Sequence, residues 1–461
     1  MQNARRVLLA AILLGWAKAP AQTPDTLRVA PRLSTTPVTI DADDPALWLH
    51  PSLPESSLVI ATDKGGMQQS GGLFVWNMDG SLRQQILLSR PNNVDVRSGF
   101  VLGSTTIDIA AVSIRDQDQI RIFKIDPATR LLSDVTTAQG ISVLDAPYGL
   151  TLYRRSSDGA IFALVSSKSS KFLTEIWQLR LSADDAGKVK GVKVRVFGQH
   201  EGIVEGMVAD DELGYVYCAE GEKGIHKYYA DPRLGIRRLA FFATDTASRW
   251  DRKGLALYKC SDSTGYLLAA NPDDRSIKVY PREGESGNKH RHPLLAIIEN
   301  TLRNQGVGIE VTRFATSKKF PRGVLLWHDE KFRKFRFYAW EEVAQNLLTV
   351  CPGVITGVAS GPAWQTAALP SLTLFPNSPN PFNPQTAIRY VLTRDGFVQL
   401  RIHDILGRTI RTLRQEMTAA GEHVVFWDGA GEQQQPAPSG IYFCRAEVGN
   451  FVQIRKLTLL R

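Results

Sequence analysis

Five carboxylates fall between Val204 and Glu220, at Glu205, Asp210, Asp211, Glu212 and Glu220, and the alternating apolar run Tyr215 to Ala219 separates the last from the others. Acids this close repel one another unless a cation, an arginine or water offsets their charge, so the stretch marks either a hard-metal site or a solvated turn. Asp210-Asp-Glu-Leu-Gly214 is also ordinary turn chemistry, and these residues alone leave both readings open. Basic residues are less informative. Lys331-Phe-Arg-Lys-Phe-Arg-Phe337 reads as a strand with one wet face and Lys289-His-Arg-His292 as a solvated loop; no nucleic-acid-binding motif accompanies either, so nucleic acid is not an expected partner. The formal net charge of +9 favours an anionic partner only weakly. Cys218, Cys260, Cys351 and Cys444 have no metal-ligand spacing, so cysteine-held zinc is not expected. Their order in the chain does not pair them, and disulfides and buried thiols both stay open.

Chemistry at Glu205 and Glu220 needs a scaffold that brings other groups to them. A strand signature ending in an aromatic residue recurs about every fifty residues: Leu73-Phe-Val-Trp76, Ile120-Arg-Ile-Phe123, Thr174-Glu-Ile-Trp177, Ile225-His-Lys-Tyr228, Ile277-Lys-Val-Tyr280 and Phe335-Arg-Phe-Tyr338. A second β-rich run precedes each, from Leu58-Val-Ile-Ala61 to Gly323-Val-Leu-Leu-Trp327. Six such units with turns between strands and little helical periodicity predict an all-β chain with four-stranded blades repeated radially, a six-bladed β-propeller. The preceding runs end in Asp63-Lys64, Ser113, Ser166-Ser167-Lys168, Glu220, Asn271 and His328-Asp329. A propeller would gather these ends at one mouth of its channel.

On this scaffold, Asp41-Ala-Asp-Asp-Pro-Ala-Leu-Trp48, Asn92-Asn-Val-Asp-Val-Arg97, Tyr148-Gly-Leu-Thr-Leu-Tyr153, Gly191-Val-Lys-Val-Arg-Val-Phe197, Glu205-Gly-Met-Val-Ala-Asp-Asp-Glu-Leu-Gly214 and Ala219-Glu220 resemble, in order, the motifs of the β-propeller phytases. The match runs from about residue 38 to 345. The resemblance implies a phosphomonoesterase acting on inositol phosphates such as phytate, with calcium held by channel-mouth carboxylates and calcium-bound water as nucleophile. By motif it implies Asp44 and Glu205 as catalytic calcium ligands, Glu220 and Asp251 as further metal ligands, and Lys64, Arg97, Tyr148 and Lys168 as phosphate contacts. The chain departs from the pattern at three places above all. Gly221 follows Glu220 where the family has a second glutamate. Lys253 stands in Asp251-Arg-Lys-Gly-Leu255 where the family has a calcium-ligating glutamate, and Gln305 lies in a segment that has lost two acids. Three readings follow: a phosphatase of reduced or shifted activity, an inactive propeller that binds phosphorylated anions, and an extracellular adhesion propeller.

The chain ends carry addresses. Arg5-Arg6, the apolar run Val7 to Trp16 and Ala19-Pro-Ala21 predict a signal peptide over residues 1–21. That run is too short to span a bilayer, and no later stretch reaches the roughly 20 apolar residues a spanning helix needs. The expectation is an exported, soluble monomer with a propeller over 30–345, a linker over 346–371 and a small immunoglobulin-like β-sandwich over 372–461. Asn380-Pro-Phe-Asn-Pro384, Asp404-Ile-Leu-Gly-Arg408, Trp427-Asp-Gly429, Ser439-Gly-Ile-Tyr-Phe443 and Arg455-Lys-Leu457 resemble the type A sorting domain of type IX secretion, related to the FlgD immunoglobulin-like module. That resemblance implies the type IX machinery as partner and delivery through the periplasm and outer membrane of a Gram-negative bacterium, to the cell surface or medium.

Overall fold

Runs of four to eight apolar residues bounded by turns are too short for stable helices and long enough to cross a sheet. The computed structural model describes residues 24–66, 70–168, 173–244, 251–303, 306–351, 372–375, 377–392, 395–419, 421–448 and 451–461. The expected signal peptide, Gln305 and most of the expected linker lie outside them. The first unit, Met1–Val358, contains six sheets among its described residues. Sheet 1 comprises Ala42–Trp48, Leu58–Asp63, Gly71–Asn77 and Leu82–Leu88; sheet 2, Pro91–Leu102, Thr105–Ile114, Gln119–Ile125 and Leu132–Asp134, with Ile141–Ser142 also paired to its third strand. Sheet 3 comprises Pro147–Arg154, Ile161–Ser167, Thr174–Ala183 and Val189–His200; sheet 4, Val204–Asp210, Tyr215–Glu220, Gly224–Tyr229 and Ala240–Phe242. Sheet 5 comprises Gly254–Lys259, Gly265–Asn271, Ser276–Pro281 and Ala296–Asn300; sheet 6, Ile309–Thr312, Val324–Asp329 and Lys334–Ala339.

The first strand of each sheet packs on the first strand of the next, and that of sheet 6 on that of sheet 1, so the ring closes as a β-propeller. An apolar layer fills every interface in turn, from sheets 1 and 2 round to sheets 6 and 1. This explains the sequence pattern. Middle strands are covered on both faces by neighbouring sheets, so Leu58–Asp63, Ile161–Ser167 and Val324–Asp329 are buried along their whole length instead of alternating. The aromatic signature is the third strand, and its Trp76, Phe123, Tyr228, Tyr280 and Tyr338 are buried in those layers.

Closure uses both ends of the unit. Asp25–Val29 adds in parallel to Ala296–Asn300 of sheet 5, and Leu33–Ser34 is the outer strand of sheet 6. The propeller therefore begins before residue 30. It also ends later than expected: a short helix, Trp340–Ala344, stacks Trp340 on Tyr258 at 3.9 Å, and Cys351 is buried and disulfide-bonded to Cys260. Residues 346–351 are thus held against sheet 5 and are not linker; apolar Leu348 and Cys351 anchor them. Cys218 and Cys444 are buried free thiols.

The second unit, Ala359–Arg461, is a sandwich of two antiparallel sheets among its described residues. One holds Leu372–Leu374, Thr386–Leu392 and Gly421–Trp427; the other holds Thr409–Thr418, Gly396–His403, Gly440–Val448 and Phe451–Leu459. Inward residues alternate along the strands, and Tyr390, Leu400, Trp427, Tyr442 and Leu457 fill the space between.

Candidate active site

The first strands of sheets 1 to 4 share an irregularity at their beginning: the register slips between Ala42 and Pro45, Pro91 and Val94, Pro147 and Leu150, and Val204 and Met207. Such bulges re-aim side chains, and these carry Asp43-Asp44, Asn92-Asn93, Tyr148-Gly149 and Glu205-Gly206 at one mouth of the channel. Glycine is required here by close approach. A Cβ on Gly149 would lie 2.4 Å from the Glu205 carbonyl oxygen, and one on Gly206 2.5 Å from that of Lys253. Hydroxyls from the second strands pin the bulges: Ser113 Oγ donates to the Tyr148 carbonyl at 3.0 Å and Ser166 Oγ to that of Val204 at 2.5 Å. Ser113 and Ser166 are therefore spent on neighbouring backbone.

Around this rim lies a mixed cluster. Lys64 Nζ is 3.0 Å from Asp43 Oδ1 and 3.5 Å from Asp41 Oδ2, and Asp63 fixes the loop beneath by accepting from the amides of Thr39, Ile40 and Asp41. Tyr148 donates its phenol proton to Glu205, and Lys168 Nζ sits 3.4 Å from the phenol oxygen. Arg115 lies over the same ring at 5.3 Å. Burial, then the nearby Asp43 charge, pushes Glu205 up to about 7; burial raises Asp43 and lifts Asp44 well above the carboxylate range. Burial and the Glu205 carboxylate raise Tyr148, so it stays protonated. At this rim Asp43 Oδ2, Asn92 Oδ1 and Arg115 Nε are buried without a hydrogen-bond partner among the described residues. A rim of buried acids interleaved with lysine and arginine can hold a polyanion and a cation side by side.

The sequence model of the family described as Phytase matches residues 2–351. The chain belongs to the phytase family. A relative from Bacillus subtilis (strain 168) named 3-phytase is 33% identical over 323 residues, covering 66% of this chain and 81% of the relative. The model of the FlgD Ig-like domain matches residues 385–450. Among solved structures, the Cps50 (Swd1) β-propeller domain of Myceliophteria thermophila aligns with a TM-score of 0.38 at 11% identity, over 65% of this chain and 83% of that one. The Dos1 propeller aligns with a TM-score of 0.35 at 12% identity, over 65% and 67%.

In this phytase-family chain, the residues expected from sequence divide into two groups. Glu205, Lys64, Tyr148 and Lys168 come together at the rim, and Lys253 joins them within Coulombic reach of Glu205. Asp44, next to Asp43 in the chain, instead accepts from the Val94 amide at 3.2 Å and faces Asp95 and Glu310 further into the channel. Arg97 does not join the rim. It lies further along its strand, 3.0 Å from Asp211 and 3.2 Å from Asp95, and its terminal nitrogens donate to Asp95 and to the Leu152 and Ala209 carbonyls. Glu220 is also elsewhere: His226 Nε2 is 2.7 Å and His200 Nδ1 3.3 Å from its Oε2, and the Gly202 amide donates to Oε1. Asp251 pairs with Lys253 at 3.0 Å and borders Gly221, whose added Cβ would lie 3.6 Å from the Asp251 carboxylate. Asp210, from the same acidic stretch, is locked under Arg282 by two 2.6 Å contacts.

Asp43 and Arg115 went unnamed in the sequence reading. Arg115 had a positional signal: Lys64, Arg115 and Lys168 each immediately follow the second strand of sheets 1, 2 and 3.

Proposed function

We propose that the chain hydrolyses phosphate monoesters of inositol phosphates, with phytate as the substrate type and calcium held by Asp43, Asp44 and Glu205. The observation that carries this reading is that Lys64, Arg115 and Lys168 surround the buried carboxylates of Asp43 and Glu205 at the propeller mouth. Carboxylates alone would repel a polyanion, and cations alone would only bind one. The donor set suits calcium: three side chains offer hard oxygen, and Asp43 Oδ2 has no partner among the described residues. Bound there, calcium would hold the acids ionised and polarise a phosphoryl oxygen. Lys64, Arg115 and Lys168 bind and orient phosphoryl oxygens, and Arg115 Nε is free to donate. Tyr148 fixes the Glu205 carboxylate through its phenol proton. The relative named 3-phytase supports the same substrate class.

Lys253 favours a second reading, in which phytate binds without turnover. Its ammonium faces both Glu205 and Asp251, and a cation there opposes a divalent ion by like charge. Phosphate release from phytate with calcium titrated in separates the two. Calcium-dependent release that Glu205→Gln abolishes supports the enzyme, and Lys253→Glu then lowers the calcium needed. Chelator-insensitive binding without release supports the anion-binding reading, and neither binding nor release leaves an adhesion propeller.

The address is part of the same proposal. Residues 1–21 direct export, and the FlgD-like module, through the type IX motifs at Asn380, Asp404 and Ser439, engages the type IX machinery for passage across a Gram-negative outer membrane. Deleting residues 372–461 should then trap the protein in the periplasm; unchanged delivery to the surface or medium would sink this part.

A further inference from the structure

Outside the rim, two imidazoles and a carboxylate meet in the edge shared by sheets 3 and 4. His200 is the last residue of Val189–His200, Glu220 the last of Tyr215–Glu220, and His226 lies in the adjacent strand Gly224–Tyr229. One ligating atom from each of the three falls within 4.8 Å of the other two. Both rings aim a nitrogen at the same oxygen, Glu220 Oε2, from 3.3 Å and 2.7 Å, and all three side chains are buried.

We propose that His200, Glu220 and His226 form a binding site for zinc or a similar first-row divalent cation, distinct from the hard-oxygen rim at Asp43 and Glu205. Imidazole with carboxylate selects such ions over calcium, which takes oxygen. The spacing is close to what the ion needs. Ligands about 2.0–2.1 Å from a tetrahedral zinc lie about 3.3 Å apart. The His200 pair already stands at 3.3 Å, and the His226 pair must open from 2.7 Å by about 0.6 Å.

The surroundings are built to hold the rings. Phe241 stacks on His226 at 4.4 Å, Tyr228 meets His200 edge-on at 6.0 Å, and the two imidazoles are 4.4 Å apart. His200 Nε2 is buried with no partner among the described residues, so the Glu220 carboxylate alone holds the ring proton on Nδ1. When the ion takes Nδ1 of His200 and Nε2 of His226, each ring proton moves to the other nitrogen, with no net release. For His226 that nitrogen is Nδ1, which now faces exposed Arg238 at 3.4 Å. Lys223, also exposed, reaches Glu220 Oε1 at 3.4 Å and marks the solvent side of the site. Both cations must swing into water as the ion enters, which makes them brakes on binding.

The test titrates zinc chloride alone into the chelator-stripped full chain by calorimetry, with and without millimolar calcium, alongside visible spectra of the cobalt(II) form. One zinc per chain, retained in calcium, with four-coordinate cobalt bands, is expected. His200→Gln and His226→Gln should each weaken zinc by about tenfold or more, the loss typical of disturbing a metal's ligand environment. Lys223→Gln with Arg238→Gln, at exposed positions that do not carry the fold, should instead tighten it severalfold. No zinc uptake by the native chain, calcium displacing it, or affinity unchanged in the Lys223 and Arg238 double variant overturns the proposal, even if the histidine variants fail to fold. Phytate hydrolysis plays no part in the readout.

Discussion

Arg115 lies over the Tyr148 ring, whereas Arg97 is ion-paired with both Asp95 and Asp211. Their alanine variants should separate accordingly. Arg115→Ala should leave urea unfolding unchanged and lower kcat/KM on phytate by about tenfold to a hundredfold, the worth of a charged hydrogen bond. Arg97→Ala should instead cost about 3 kcal/mol of stability, because two acids are left in the channel without their cation. In sequence they differ only in place: Arg97 lies inside the first strand of sheet 2, and Arg115 directly follows the second. A further residue-scale expectation concerns His292, which accepts from Lys227 Nζ at 3.2 Å and donates to the Pro281 carbonyl at 2.7 Å. Burial, then the Lys227 charge, holds its pKa down to about 4 from 6.5. Between those values the unfolded chain binds a proton that the native chain refuses, so stability falls as pH drops from about 6.5 to 4. His292→Phe should make that part of a plot of Tm against pH less steep, leaving the share of the other buried histidines; an unchanged slope would contradict the assignment.

At the scale of elements, the bulged first strands do most to make the site. Gly206→Ala would press a methyl into the Lys253 carbonyl, and should cost on the order of 1–3 kcal/mol while pulling Glu205 off the rim. Activity should therefore fall in the fraction that remains folded by circular dichroism. The middle strands were legible in the sequence because burial on both faces leaves long apolar runs that end in aromatics. Ala240–Phe242 and the closing strands Asp25–Val29 and Leu33–Ser34 were not, since they are short and partly exposed, and the closing pair finds its partners far along the chain. The same limit applies to the site. Lys64, Lys168 and Glu205 carried recognisable neighbours, but Glu220 is adjacent in sequence to the calcium motifs and is turned in space toward two histidines.

For the whole molecule, the propeller unit owns a closed set of apolar layers and its own disulfide, so a chain ending at Cys351 should unfold at the same temperature as the propeller transition of the full chain. Cys351→Ser should lower its stability by about 2–4 kcal/mol, as expected for opening a crosslink between residues 91 apart. Sheets 1 to 4 are built from neighbouring strands in sequence, and each can hydrogen-bond as soon as its own hairpins exist. Sheets 5 and 6 complete later, because each also takes a strand from far along the chain: Asp25 pairs with Ala296 and Leu33 with Phe337. Contacts across so much chain form slowly. Asp25–Val29 and Leu33–Ser34 are therefore among the last strands to be paired, and until Ala296–Asn300 has been made the first of them travels as an open strand edge that a second chain, or a chaperone, can occupy.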